Sequence, residues 1–280
     1  MKQRLLVAGV GLPLLLAVLL ACPAWATMLL VCAISGVASY ELLHTAGKIV
    51  PAIIYTWTIM IALIQEVYIY SGSDAFAIGP VSSVTMIRWY FVVSLFVFAV
   101  VGYGRGEGRE VSFTTLCIAV VCGIVFPTMY SCIFLLRMHE SFGKVYVLAP
   151  FFIAFAGDTL SMFFGMWFGK RKMAPNVSPK KTWAGFYGGP IGSALGMCLL
   201  GFVGAKCFGY APSYLALIVV GAVGNVFGQL GDLSMSLVKR EAGIKDYSHL
   251  FLTHGGMLDR FDSTMFIAPV VYFFVSAGVI

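Results

Sequence analysis

The sequence has few charged residues for its length. Asp, Glu, Lys and Arg together make up 11% of the 280 residues, whereas 60% of the residues are hydrophobic. A soluble domain of this size needs a larger polar fraction to cover its surface. The scarcity of charge therefore excludes a soluble globular protein and indicates a membrane protein.

The seven cysteines lack the spacing of a functional cysteine motif. No two of them form a CxxC pair, and most lie inside apolar runs. Zinc sites and disulfide frameworks have characteristic cysteine spacings, which this sequence does not show. We therefore interpret the cysteines as small apolar side chains.

Long apolar runs recur along almost the whole chain. A helix of about 20 residues crosses a hydrocarbon core of roughly 30 Å, and each run is close to that length. The predicted fold is an all-α polytopic membrane protein with about nine transmembrane helices. These lie near residues 5–21, 24–39, 50–71, 88–103, 112–136, 145–168, 184–206, 212–238 and 263–280. Residues 1–26 also resemble a secretory signal, but we predict that this first span is retained.

Basic residues decide the predicted orientation, because cytoplasmic loops of membrane proteins are enriched in Lys and Arg. With the amino terminus in the cytoplasm, 14 of the 18 basic residues fall on the cytoplasmic side. This asymmetry accounts for most of the net charge of +6, so we do not expect a nucleic-acid partner.

The two halves of the chain differ in polar content. Residues 1–145 are predicted to form N-terminal transmembrane helices joined by short loops without recognisable chemistry. Residues 146–280 are predicted to form a catalytic transmembrane region with cytoplasmic loops at 169–183 and 239–262. Glycines four residues apart in this half, such as Gly188, Gly192 and Gly196, predict close helix packing.

Asp158 and Asp232 lie within or at the ends of apolar spans. An ionised carboxylate there usually has a function or a partner. Asp232, Ser236 and Lys239 have a spacing that puts them on one helix face. That face leads from a carboxylate to a cation, so an interhelical ion pair is the structural alternative to a catalytic role.

A second pair of acids, Asp259 and Asp262, stands at the start of the last span. Their spacing of three residues puts them on one face, although acids there would also suit the helix dipole. Together with Asp232 they could converge at one cytoplasmic membrane face. Three carboxylates favour a hard divalent cation such as Mg²⁺, which takes oxygen ligands.

Basic residues flank these acids in both cytoplasmic loops. They are Lys239, Arg240, Lys245 and Arg260, and the segment SPKKT from Ser178 to Thr182. Sites of phosphoryl or nucleotidyl transfer combine acids that bind a metal ion with basic residues that bind phosphates. Gly255 and Gly256 would permit close backbone approach to phosphate at a helix start. His249 and His254 are residues of a type that can bind zinc, but most potential ligands in this segment are carboxylate oxygens, which disfavours a zinc site.

The polar segments resemble a known family signature. The pattern S-x-x-K-R-x-x-x-x-K-D followed by H-G-G-x-x-D-R-x-D-S is similar to that of the phosphatidate cytidylyltransferases, or CDP-diacylglycerol synthases. It is formed here by Ser236, Lys239, Arg240, Lys245, Asp246, His254, Gly255, Gly256, Asp259, Arg260, Asp262 and Ser263. The preceding Asp158-Thr159, FGKRK, SPKKT and GQLGD segments are similar too, so the resemblance covers roughly residues 150 to 265.

The resemblance implies an Mg²⁺-dependent nucleotidyltransferase that condenses CTP with phosphatidic acid in the lipid bilayer, giving CDP-diacylglycerol and pyrophosphate. It implies that Asp232 and Asp259, with Asp262, hold the metal. The catalytic set also includes Lys239, Arg240, Asp246 and Arg260. The implied substrate-binding residues are Ser178, Lys180, Lys181, Thr182, Ser236, Lys245, His254, Gly255 and Gly256. A monovalent cation such as K⁺ and a homodimer are left open.

Alternatives come from different functional classes. One is a transporter of ions or phosphorylated compounds that uses Asp158 and Asp232 as carriers, and another is a kinase of polyprenol or dolichol.

The basic loops should face the compartment that contains CTP, so we predict a bacterial inner membrane with the active site facing the cytoplasm. The chain departs from the family pattern at Leu252-Thr253, Ala184 and Ser161-Met162.

Overall fold

The computed structural model describes residues 2–45, 50–73, 93, 113–251 and 255–280. These residues are mostly helical. The helices are α1 (Lys2–Leu20), α2 (Ala24–Thr45), α3 (Ala52–Ser73), α4 (Phe113–Val120), α5 (Phe126–Met138), α6 (Gly143–Tyr146), α7 (Ala149–Phe168), α8 (Trp183–Phe208), α9 (Tyr214–Glu241) and α10 (Leu258–Ser276). A π-helical turn, Val121–Val125, joins α4 to α5.

Six helical segments within the described ranges are long and apolar enough to cross a membrane. They are Ala24–Thr45, Ala52–Gly72, Thr114–Met138, Gly143–Phe168, Trp183–Phe208 and Tyr214–Glu241. Each coincides with a predicted span, so the chain is a helical integral membrane protein. Predicted spans 5–21 and 263–280 correspond to α1 and α10. The span at 88–103 lies outside the described residues, and the total of nine stays a prediction.

The prediction of an all-α chain needs one correction, because the 169–183 loop contains a β-ribbon. Strand β1 (Lys172–Ala174) pairs antiparallel with β2 (Ser178–Thr182), with Lys172 opposite Thr182. The loop reverses direction between α7 and α8, and the pairing satisfies backbone groups that a bare loop would leave to solvent. Helical periodicity and span length gave no signal for this short element.

The described chain divides into two compact units, each discontinuous in sequence. Unit 1 comprises Met1–Gly9, Met28–Ser131 and Asp246–Asp259, and unit 2 comprises Val10–Thr27, Cys132–Lys245 and Arg260–Ile280. The segment from 246 to 259 therefore belongs with residues from the first half of the chain. The predicted functional division at residue 145 stays a prediction.

In unit 1, side chains from α2 and α3 bind the π-helical region. Ser39 donates its hydroxyl to the carbonyl of Cys122 at 2.9 Å, and the amide of Gln65 donates to the carbonyl of Ile124 at 3.1 Å. A π-helical turn interrupts the regular hydrogen-bond ladder of an α-helix. These polar side chains provide partners for carbonyl groups in and near the interruption.

In unit 2, α8 packs closely along both α7 and α9. Gly188 lies against Phe164, and Gly196 lies against Ala156 and Phe152. A side chain at Gly192 would collide with the carbonyl of Ala156, so the helix backbones are nearly in contact. This confirms the close packing predicted from the glycine spacing and fixes the α7, α8 and α9 residues that surround the site.

Candidate active site

A small polar cavity of about 60 Å³ lies within unit 2. Residues of α7, of β1 and β2, of the first turn of α8 and of α9 contribute to its wall. The lining residues are Asp158, Ser161, Met173, Lys181, Thr182, Gly185, Phe186, Gln229 and Asp232. Two carboxylates and one ammonium group share this cavity, although the helices around it are otherwise mostly apolar.

Lys181 and Asp232 form the ion pair of this cavity, with Nζ and Oδ2 at 2.7 Å. The other carboxylate oxygen of Asp232 accepts a hydrogen bond from the Ser236 hydroxyl at 3.2 Å, which confirms that these residues share a helix face. The side chains of Lys181 and Asp232 are 23% and 34% exposed. A partly exposed pair contributes little to stability, and solvent reaches both of its charged groups.

The supporting hydrogen bonds fix α9 against the start of α8. The Gln229 amide donates to the carbonyl of Phe186 at 3.1 Å and to the side-chain oxygen of Asn225 at 2.6 Å. The backbone carbonyl of Gln229 accepts a hydrogen bond from Lys181 at 3.3 Å. Asn225 is only 2% exposed. Lys181 is therefore held between the Asp232 carboxylate and the α9 backbone.

Asp158 places a second carboxylate at the cavity, on α7. The residue patterns marked it as an unusual intramembrane acid, but they did not include it among the site residues. Its neighbour Ser161 has a buried hydroxyl without a hydrogen-bond partner in the described part of the chain. A buried hydroxyl at a polar cavity is suited to a ligand or water oxygen. Only the packing of α7 shows that these residues face Lys181 and Asp232.

Residues of the predicted substrate-binding segment, Ser178 to Thr182, have different surroundings in the ribbon. Lys181 lines the cavity, whereas Lys180 is exposed. The hydroxyl of Thr182 accepts a hydrogen bond from the Gly185 N–H at 3.2 Å and so caps α8. Ser178 pairs with Ala174 across the ribbon. Substrate contacts of Ser178, Lys180 and Thr182 stay predictions.

The basic residues at the end of α9 have different surroundings. Arg240 donates from Nε to the carbonyl of Val177 at 3.2 Å and from Nη1 to that of Ile244 at 3.0 Å. It thereby joins the ribbon turn to the segment that follows α9. Lys239 is 8% exposed, while Lys245 is exposed. Phosphate binding by these three residues stays a prediction.

In unit 1, Asp259 organises the glycine segment in front of it. Its Oδ2 accepts hydrogen bonds from the backbone N–H groups of Tyr247 at 2.8 Å and Gly256 at 2.9 Å. Gly255 has φ +79°, which favours glycine. Close backbone approach at Gly256 is observed toward the Glu41 carboxylate. Phosphate contact at these glycines stays a prediction.

The remaining predicted residues lie in both units. Asp246 belongs to unit 1, while Arg260, which is exposed, and Asp262, which is 6% exposed, belong to unit 2. Asp262 accepts a hydrogen bond from the Ser263 N–H at 2.7 Å. His254 and the family departure at Leu252-Thr253 lie outside the described residues. The roles of Asp246, Arg260 and Asp262 stay predictions.

The cavity contains oxygen donors of the kind that Mg²⁺ binds. Within the part of the chain that the structure describes, no group of three or more His, Cys, Asp or Glu residues could hold a metal ion. Mg²⁺ is commonly bound by one or two carboxylates and completes its coordination with waters and substrate phosphates. The Asp158 and Asp232 carboxylates, with hydroxyls nearby, fit that requirement. The predicted set of Asp232, Asp259 and Asp262 stays a prediction.

Comparison with known proteins gives matches along the whole chain. The sequence model of the cytidylyltransferase family matches residues 2–277. A phosphatidate cytidylyltransferase of Bacillus subtilis (strain 168) is 31% identical, and the match covers 99% of this chain and 98% of that protein. A Rickettsia felis protein of the same name is 30% identical over 68% of this chain and 85% of its own length. A Staphylococcus haemolyticus protein of that name is 35% identical over 63% of this chain and 64% of its own length.

Proposed function

The chain belongs to the cytidylyltransferase family, and we propose that it is a membrane-embedded phosphatidate cytidylyltransferase. Such an enzyme transfers CMP from CTP to phosphatidic acid and releases CDP-diacylglycerol and pyrophosphate, a step of phospholipid biosynthesis. The carrying observation is similarity over 99% of this chain to a protein of that name. The polar cavity supports the proposal, because it brings acids and a lysine together in otherwise apolar helices.

The reaction needs charge neutralisation more than it needs a strong base. A phosphate oxygen of phosphatidic acid attacks the α-phosphorus of CTP, and the bond from that phosphorus to the bridging oxygen breaks as pyrophosphate leaves. The attacking oxygen is already anionic near neutral pH, so no group in the cavity must remove its proton. The main obstacle is repulsion between two polyanions, which fixed positive charge reduces.

In this proposal, Lys181 supplies fixed positive charge to a phosphate group. Asp232 and the carbonyl of Gln229 hold its ammonium group at the cavity. The hydrogen bond from Ser236 fixes the Asp232 carboxylate in turn. The hydroxyl of Ser161 supplies a further donor at the same cavity.

We also propose that the enzyme uses Mg²⁺ and that Asp158 and Asp232 bind it. The ion would neutralise charge on phosphate oxygens. Support comes from the oxygen donors of these two acids at one cavity. The sequence predictions for Asp259 and Asp262 as further ligands, and for K⁺, stay predictions.

The location that we propose is the bacterial inner membrane, with the active site facing the cytoplasm. Support comes from the apolar helices, from the bacterial relatives and from the excess of basic residues in the loops that contain SPKKT and Lys239. CTP is made in the cytoplasm, so a site on that face has access to it. Homodimer formation stays a prediction.

The proposal is tested by incubating purified protein in lipid nanodiscs with labelled CTP, with and without phosphatidic acid. We expect labelled CDP-diacylglycerol only when phosphatidic acid and Mg²⁺ are both present, and none after addition of EDTA.

Asp232→Asn should lower kcat by about 100-fold or more, as removal of a key electrostatic group does. Glu140→Gln is the matched control, because Glu140 is exposed in the loop before α6. Normal turnover by Asp232→Asn would contradict the proposed location of the active site. Ion or phosphate flux without CTP turnover would contradict the proposal that the protein is an enzyme.

A further inference from the structure

Glu41 is a buried acid in the middle of the apolar first half of the chain. It lies on α2, in unit 1, and is 3% exposed. A buried carboxylate is costly unless donors surround it. Its donors come from the 246–259 segment, which is more than 200 residues away in sequence and belongs to the same unit.

Three hydrogen bonds join Glu41 to this segment. Oε1 accepts from the Ser248 hydroxyl and from the Met257 N–H, the latter at 2.9 Å. Oε2 accepts from the Leu258 N–H at 2.8 Å. Both carboxylate oxygens are therefore used, and each one receives a backbone donor.

The two backbone donors belong to the start of α10. The first N–H groups of a helix have no partner inside the helix, and their dipoles favour a negative charge. Glu41 satisfies two of these groups, because α10 begins at Leu258. A carboxylate from α2 thus fixes the position at which α10 begins.

The same segment carries Asp259, which also binds Gly256. The Asp259 carboxylate accepts the Gly256 N–H, and a side chain at Gly256 would meet the carboxylate of Glu41. Gly256 is therefore adjacent to two acids, Glu41 on α2 and Asp259 on α10. A shift of Glu41 would displace the backbone that Asp259 binds.

We infer that Glu41 is a positioning residue for the enzyme, which fixes Asp259 and the Gly255-Gly256 segment for the reaction without touching substrate. This inference rests on the proposed function, since it assigns the segment a part in CTP and phosphatidic acid turnover. It adds a residue from the first half of the chain, outside the family pattern of the second half. We therefore expect a change at Glu41 to lower kcat while the protein stays folded.

Glu41→Gln is the most informative variant, because glutamine keeps the shape of glutamate. Its amide oxygen can still accept from Ser248 and Met257, but its NH₂ group then faces the Leu258 N–H, and two donors oppose each other. We expect kcat to fall by about ten-fold or more, as for other residues that orient a site residue, with KM for CTP changed by less than about two-fold. Glu140→Gln makes the same chemical change at an exposed position and should leave kcat unchanged.

Hydrogen exchange provides a readout that is independent of activity. The amide of Leu258 should exchange about ten-fold faster in Glu41→Gln than in the wild-type protein, because its acceptor is lost. The amide of Met257 keeps its acceptor and should change less. Ser248→Ala removes only the side-chain donor, so both amides should stay protected and kcat should fall less. Wild-type protein without CTP turnover would refute the proposed function, whereas the exchange rates would still decide whether Glu41 anchors the segment.

Three outcomes would overturn the inference. The first is Glu41→Gln with kcat within two-fold of the wild type. The second is unchanged exchange at Leu258 in that variant. The third is loss of folded protein in both Glu41→Gln and Ser248→Ala, which would make the contact purely structural.

Discussion

At the scale of single residues, Lys181 has a defined position in the cavity of unit 2. Its ammonium group contacts Asp232 and the carbonyl of Gln229, while its neighbour Lys180 is exposed. Successive side chains of a strand point to opposite sides. The ribbon therefore explains why two adjacent lysines have different surroundings.

Lys181→Met should lower kcat by about 100-fold, because it removes fixed positive charge from the cavity. The free energy of unfolding should change by less than about 1 kcal/mol, since the ion pair is partly exposed. Lys170→Met is the control, because Lys170 is exposed in the same loop. Steady-state kinetics and unfolding of both variants check the prediction. A variant that unfolds readily but turns over normally would show that Lys181 has a structural role alone.

At the scale of elements, the glycines of α8 determine where α7 and α9 can lie. Gly189 approaches Asn225, Gln229 and Ser161, and Gly192 approaches the backbone of α7. Side chains at these positions would separate the helices that carry Asp158 and Asp232. The close packing is thus a condition for the cavity as well as for the stability of unit 2.

Gly192→Ala should destabilise the protein by about 1–3 kcal/mol, because the added methyl group overlaps the Ala156 carbonyl and the helices must move apart. Gly11→Ala is the matched control, because nothing lies within 4 Å of a side chain at that position of α1. The control should be neutral or stabilise its helix by up to about 1 kcal/mol. Denaturant unfolding in detergent measures both, and equal effects would contradict the packing argument.

At the scale of the whole molecule, the chain order and the compact units do not coincide. The 246–259 segment belongs to unit 1, although the residues before and after it in the sequence belong to unit 2. The first half of the chain, in which the sequence shows no recognisable chemistry, therefore supplies contacts to a segment that carries the family pattern. Glu41 is the clearest case.

The predicted orientation can be tested with alkaline phosphatase fusions in a Gram-negative host. The reporter folds only outside the cytoplasm, where its disulfides form. A fusion after Arg171 should be inactive, because the 169–183 loop is predicted to be cytoplasmic. A fusion after Gly209 should be active, because the intervening segment Trp183–Phe208 is long enough to cross the membrane. The reverse pattern would contradict the orientation inferred from basic residues.

The sequence by itself determined the membrane class, the position of most helices and the Asp232-Ser236 contact. These depend on local properties, namely the length of an apolar run and the spacing of residues along one helix. The family pattern is also local in sequence, and it indicated the reaction class that the full-length similarity supports.

Only the tertiary structure decided which distant residues meet. Asp158 joins Lys181 and Asp232 because glycines let three helices pack closely, and the Met257 N–H reaches Glu41 across 216 positions of sequence. Residue spacing carries no information about such contacts, since they depend on how separate helices pack. The β-ribbon was missed for a related reason, because its strands are short and are stabilised by pairing with each other.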